Sequence, residues 1–183
     1  MSHDLATING QKAMMYYGEV PWHGLGQKLD GPATAAEAIR AANLDWKVEK
    51  TPLHIHQGKF CHEVPDRFAI VRNDESLFQG PPTVLGIVGR DYTPLQNREA
   101  FDWFDPIADG AKAIYHTAGA LGDGERVWIL AKLPDVIQVI GDDIADKFLL
   151  LSNSHDGSSS VQVKFTPIPV PAPRQKGRLL TSL

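Results

Sequence analysis

The sequence contains a single cysteine, Cys61, among its 183 residues. One cysteine forms no internal disulfide, which indicates a protein of a reducing compartment. No apolar run approaches the ~20 residues that a membrane-spanning helix needs. The first residues also lack the basic and apolar segments of a signal peptide. We therefore expect a cytoplasmic protein with no membrane partner.

An excess of positive charge is missing as well. The sequence has 18 Lys and Arg against 22 Asp and Glu, a net charge of -4. This balance argues against strongly electrostatic nucleic-acid binding, although a local basic face is compatible with it. The 43% hydrophobic and 22% charged residues are typical of a globular protein, which excludes disorder throughout.

Motifs that name a reaction are absent. Pro21–Gly26 has two glycines beside a Trp and a His, but it lacks the full glycine pattern, lysine and hydroxyl of a phosphate-binding loop. Ser154, His155 and Asp156 are adjacent, whereas a catalytic triad is assembled from separated segments. We predict no catalytic residue and no cofactor, and favour a non-enzymatic protein. A hydrolase that combines His155 and Asp156 with a residue of 21–26 is a weaker alternative.

One group of residues has the chemistry of metal ligands. A hairpin with its tip at Gln57–Lys59 places His54 and His56 on one face, where Cys61 or His62 can approach from the partner strand. Structural zinc sites normally show closely spaced Cys/His pairs, and exposed histidines are common on a polar strand face. We predict no metal site, with these four residues as the candidates.

Two segments have the pattern of short helices. Thr34 and Glu37 form a capping box that starts the first helix. Thr93 or Asn97 is expected to cap the second. The second helix carries an apolar stripe for the core. The stripe consists of Ala100, Phe101, Phe104, Ile107 and Ala108.

The rest of the chain reads as strands, centred on Phe148–Leu151. Four consecutive large apolar residues predict a strand buried on both faces, with Leu150 at its centre. A polar turn at 153–158 follows, where we expect binding groups on a rigid scaffold. The strand-rich second half predicts an α+β fold with a largely antiparallel sheet and two short helices.

The chain divides into three parts by pattern. Residues 1–20 are poorly patterned, and residues 21–166 form a single α+β domain. Residues 167–183 are a Pro-rich basic tail that we expect to be disordered, because prolines at every second position remove backbone donors.

Several stretches, in order, resemble the DUF932 family of phage- and plasmid-like proteins. They are Pro21–Gly26, Leu44–Val48, Arg67–Arg72, Leu85–Gly89, Tyr92–Asn97, Thr117–Leu121 and Leu149–Ser158. The resemblance implies a home in phages, prophages or plasmids and supplies no catalytic residues. It fades after Thr166, which leads us to expect a chain truncated at its C-terminus, with an uncovered hydrophobic edge that favours self-association.

The first hypothesis for function is a non-enzymatic accessory protein of a mobile element that binds DNA in single-stranded form. It rests on the resemblance and on Trp22 and four arginines in or near the family motifs, Arg67, Arg72, Arg90 and Arg98. The alternative is a structural or protein-interaction module that binds a phage, plasmid or host protein without nucleic acid. The candidate binding residues are Trp22, His23, Arg72, Arg90, Tyr92, Gln96, Asn97, Asn153, Ser154, His155 and Asp156.

Overall fold

The computed structural model describes residues 4–73, 82–138 and 144–169. Its elements, in chain order, are β1 (Thr7–Ile8), β2 (Gln11–Lys12), β3 (Met14–Tyr17), β4 (Gln27–Leu29), α1 (Ala35–Ala41), β5 (Lys47–Gln57), β6 (Phe60–Asn73), β7 (Thr83–Gly89), α2 (Asn97–Gly110), β8 (Ile114–Leu121), β9 (Arg126–Gln138), β10 (Ile144–Ser154) and β11 (Gln162–Pro169). No helix in these ranges has the length and apolarity to cross a membrane.

The main sheet has six strands in the order β11-β10-β9-β8-β3-β4. The strands β8 to β11 form an antiparallel meander, because each follows its neighbour after a short connection. Only the pair β3–β4 is parallel among these described strands. A separate three-stranded antiparallel sheet has the order β5-β6-β7. The predicted α+β class with a largely antiparallel sheet is confirmed.

One face of the six-stranded sheet forms the core. Leu149 and Leu151 of β10 are buried there beside Ile129 of β9, together with Phe101 and Phe104 of α2. Leu150 points to the opposite face and is only half-buried. The expectation that Leu150 is the buried centre is therefore wrong, because successive side chains of a strand alternate between faces, and the face that carries Leu150 is buried at Phe148 but not at Leu150.

The two helices begin at capping boxes. In α1 the Thr34 amide donates to Glu37 Oε2 over 2.9 Å, and the Glu37 amide donates to Thr34 Oγ1 over 3.3 Å, as predicted. The N-cap of α2 is Gln96 rather than Thr93 or Asn97. Its amide donates to Glu99 Oε2 over 3.0 Å.

Two regions at the ends of the chain differ from their sequence description. Within the poorly patterned segment 1–20, β1, β2 and β3 form, and Met15 is fully buried. At the other end β11 continues to Pro169, so the first residues of the predicted tail belong to a strand. Residues 170–183 of that tail lie outside the described residues.

Candidate functional site

The polar turn Asn153–Ser158 follows β10 and is anchored in the protein interior. The amide of His155 donates to Glu125 O over 2.7 Å, which extends the β9–β10 pairing by one bond. Asn153, Ser154 and His155 are all buried. The turn therefore has an inner half that packs into the core and an outer half, from Asp156 onward, that faces solvent.

His155 is the most enclosed member of the turn. Its Nε2 lies 3.0 Å from Asn97 Oδ1, and its ring meets the Trp46 indole edge to face at 5.3 Å. Asn97 Nδ2 already donates to Leu44 O over 2.9 Å, so Asn97 Oδ1 accepts and His155 Nε2 donates. Burial lowers the pKa of His155 to about 4, against a smaller opposing effect of Asp156. A neutral imidazole with a buried, unpartnered Nδ1 results.

The segment Tyr92–Asn97 joins the two sheets through side chains. Gln96 pairs with Val48 of β5 like a strand neighbour, accepting from its amide over 3.0 Å and donating to its carbonyl over 2.9 Å. Tyr92 donates its hydroxyl to Ser154 O over 2.9 Å, and burial raises its pKa. These candidate binding residues hold the architecture together, and their polar atoms are directed inward.

Asp156 is held by its neighbours in the turn. Its Oδ1 accepts from the Ser154 hydroxyl and, over 2.8 Å, from the Ser158 amide. Burial acts to raise the pKa of Asp156, but these hydrogen bonds and the charge of Arg126 outweigh it and keep the pKa below its ordinary value. Since the Ser154 hydroxyl donates to a carboxylate rather than to a histidine, these neighbours do not form the arrangement of a serine nucleophile.

A groove of about 380 Å³ lies beside the outer half of the turn. Its lining combines hydroxyl and amide side chains with the Trp128 indole, Leu121 and Arg126. Its polar lining is Ser152, Asn153, Ser158, Ser159 and Gln162. A smaller, acidic cavity with Asp4, Glu125 and Asp156 shares Arg126 with it. Of these residues, only Asn153 and Asp156 are among the candidates predicted from the sequence, because the lining is assembled from strands and turns that are separated along the chain.

The remaining candidate residues are scattered. Trp22 is 80% exposed and meets His23 edge to face at 5.6 Å, while His23 Nδ1 accepts from the Leu25 amide over 3.0 Å. Arg72 is buried against the Trp46 ring and donates to Asp123 O. Arg90 forms an exposed ion pair with Asp66. The structure therefore does not gather these residues into one site.

The outer part of the β5–β6 hairpin, residues 51–67, extends from the domain as a two-stranded ribbon, which we call the arm. All of its residues are exposed except Leu53 and Val64, which are half-buried. One face of the arm carries His56 opposite Cys61, with Cys61 Sγ 3.7 Å from His56 Nε2, and His54 opposite Glu63. His62 pairs with Ile55 on the other face. Within the described ranges, no three such side chains converge closely enough to hold a metal ion.

The other face of the arm is aromatic and cationic. Phe60, 59% exposed, stacks on His62 with ring centroids 6.2 Å apart and an angle of 25°. Lys59 Nζ lies 5.7 Å from the centre of the Phe60 ring. The sequence predicts the hairpin, but the role predicted for His62 is that of a candidate metal ligand only. The strand alternation of Phe60 and His62, two residues apart, is the signal that places them side by side.

Comparisons with known proteins give one match. Residues 84–170 match the model of a domain of unknown function, DUF932. No curated protein and no solved structure matches the chain. The matched residues contain β7 except Thr83, together with α2, the polar turn and the groove, whereas the arm lies before them. Residues 84–170 of this chain are therefore similar to the DUF932 family.

Proposed function

We propose that this chain is a cytoplasmic, non-enzymatic accessory protein of a phage, prophage or plasmid that binds single-stranded DNA through the arm. The observation that carries the proposal is the exposed Phe60–His62 stack with Lys59 beside it. Proteins that bind single strands without sequence preference combine aromatic platforms for the bases with cations for the backbone. The mobile-element context is supported by the sequence resemblance alone.

The arm is less negatively charged than the chain as a whole, which favours the binding of a polyanion. The arm carries Lys59 and Arg67 against Glu63 and Asp66, and Asp66 is paired with Arg90. Local charge of this kind attracts a phosphate backbone even when the whole protein is acidic.

Of the four arginines predicted for this role, Arg67 lies in the arm and the other three are engaged elsewhere. Arg72 is buried, Arg90 pairs with Asp66, and Arg98 pairs with Asp45 over 2.8 Å. The proposed DNA contact is therefore the arm and not Arg72, Arg90 or Arg98. It concerns this chain rather than the whole family, because the arm lies outside the matched residues.

Fluorescence anisotropy with a labelled oligothymidylate tests the proposal. A single strand contacted by two cations should give a log–log salt slope of about −1.4, at about −0.7 for each phosphate contact. Loss of one stacked base costs about 1–3 kcal/mol, so Phe60→Ala should weaken binding about 5- to 150-fold. Trp103→Ala is the matched control, since Trp103 is an exposed aromatic residue on α2.

Lys59→Ala should weaken binding and flatten the salt slope, whereas Lys28→Ala, an exposed lysine on β4, should change neither. The proposal fails if wild-type protein gives no anisotropy change at tens of micromolar and low salt. It also fails if Phe60→Ala and Trp103→Ala bind alike.

A protein-interaction module without nucleic-acid binding is the second candidate, and one observation favours it. The edge strand β11 exposes Phe165, Val163 and Ile168 to solvent. Apolar side chains grouped on an unpaired sheet edge are typical of a surface that pairs with another strand. The same titration discriminates the two functions, because only the first predicts a salt-dependent signal.

A further inference from the structure

The strand β11 ends the six-stranded sheet within the described part of the chain. Its residues Val163 and Phe165 pair with Leu151 and Leu149 of β10 and so point to the same face as those buried leucines. The helices cover the leucines, but Phe165 remains 76% exposed and Val163 36% exposed. The apolar face of the sheet therefore extends beyond the area that the helices cover and includes the edge strand β11.

The prolines of β11 show which backbone groups face outward. Pro167 and Pro169 pair with Lys147 and Ala145 of β10. A proline fits an edge strand where its missing N–H would point away from the neighbouring strand. In an antiparallel strand, every second residue directs its N–H and C=O groups to the same side. Val163 and Phe165 are an even number of residues from the prolines, so their backbone groups also point to the free edge. Val161, two residues before Val163, is oriented in the same way. Phe165 is the last residue of this series with an N–H group to donate, because Pro167 and Pro169 have none.

This free segment, Val161 to Phe165, is complementary to itself. In an antiparallel pair with a twofold axis at Val163, Phe165 lies opposite Val161 of the second copy, and Val163 lies opposite its own equivalent. Aromatic residues opposite β-branched ones are favourable cross-strand pairs. On the other face Lys164, the one charged residue of the segment, lies opposite Gln162 of the second copy, so no like charges meet directly.

We propose that β11 is a homodimerisation edge, on which a second copy of this chain adds its β11 in antiparallel register about Val163. Two six-stranded sheets then form one continuous sheet, and each Phe165 covers Val161 of the other copy. The contact is confined to one strand pair, below the ~1,200 Å² of a standard stable interface. The dimer is therefore weak and concentration-dependent. The proposal does not depend on nucleic-acid binding.

Sedimentation velocity from 1 to 200 µM tests the dimer through variants that act in opposite directions. Val163→Lys places two lysines opposite each other on the axis and should abolish association. Val84→Lys, the same change at an exposed valine of β7, is the matched control and should leave it intact. Gln162→Glu creates two Glu–Lys pairs across the axis and should tighten the dimer about three- to tenfold at low salt. Gln162→Lys should loosen it.

Monomeric wild-type protein throughout this range overturns the proposal. A dimer that responds equally to Val163→Lys and Val84→Lys also overturns it, since association would then use another surface. The Gln162 variants keep the test decisive if Val163→Lys unfolds. A dimer unaffected by Gln162→Glu and by Gln162→Lys rules out this register.

Discussion

Acidification below pH 6.5 is expected to destabilise the fold through His155. Its pKa is about 4 in the folded protein, because the neutral ring is buried against Asn97 and Trp46. In the unfolded chain its pKa is about 6.5. Between these values the unfolded state binds a proton that the folded state excludes. Stability that is fully present above pH 6.5 is therefore lost progressively as the pH falls towards 4.

The magnitude follows from the two pKa values. A difference of about 2.5 between them contributes about 3 kcal/mol to the free energy of unfolding, since one pKa unit corresponds to about 1.36 kcal/mol. By pH 5 about 2 kcal/mol of this should be gone. Urea unfolding followed by tryptophan fluorescence at pH 7.5, 6.5, 5.5 and 5.0 gives the curve for wild type and for His155→Gln.

The comparison uses the change of stability with pH within each protein, so a constant loss in the variant cancels. His155→Gln should lose about 2 kcal/mol less than wild type between pH 7.5 and 5.0. His62→Gln, at an exposed histidine of the arm, should follow wild type. Parallel curves for wild type and His155→Gln would refute the burial of a neutral imidazole in the turn.

Three further predictions concern stability and use chemical unfolding at pH 7.5. Leu151→Ala should lower the free energy of unfolding by about 2–5 kcal/mol because the Leu151 side chain is fully buried. Leu150→Ala should lower it clearly less because Leu150 is half-buried. Equal losses would contradict the assigned faces of β10. Asn97→Ala should cost about 2–5 kcal/mol, since it leaves the buried Leu44 carbonyl and His155 Nε2 unpaired, and a loss below about 1 kcal/mol would count against that bridge. Gly86→Ala should cost about 1–3 kcal/mol, because a Cβ there lies 2.5 Å from Asp156 Cα. Gly89→Ala, with open space around it, should be nearly neutral, and similar effects of the two changes would disprove the close approach.

Local signals in the sequence predicted local structure well. The Thr34–Glu37 capping box and the hairpin tip at Gly58 depend on residues a few positions apart, and the structure contains them. Gly86 lies inside β7 and closely approaches the backbone of Asp156, and a glycine within a strand is the local signal for such an approach. The error at Leu150 arose because four consecutive apolar residues do not reveal which face of a strand is covered.

The roles of the arginines depend on partners far along the chain. Arg72 binds the carbonyl of Asp123, and Arg98 pairs with Asp45. Nothing near an arginine in the sequence shows that its charge is already matched by such a partner. The same limit applies to His155, whose environment is set by Trp46 and Asn97.

Photocross-linking tests most directly whether the arm binds single-stranded DNA. An oligonucleotide that contains 5-bromodeoxyuridine is irradiated with the protein, and the tryptic peptides are mapped by mass spectrometry. Cleavage after Lys59 and after Arg67 isolates Phe60 and His62 in one peptide. The proposal predicts that this peptide carries the main adduct and that excess unlabelled single strand removes it. Adducts confined to peptides outside residues 51–67, or no adduct at all, would contradict it.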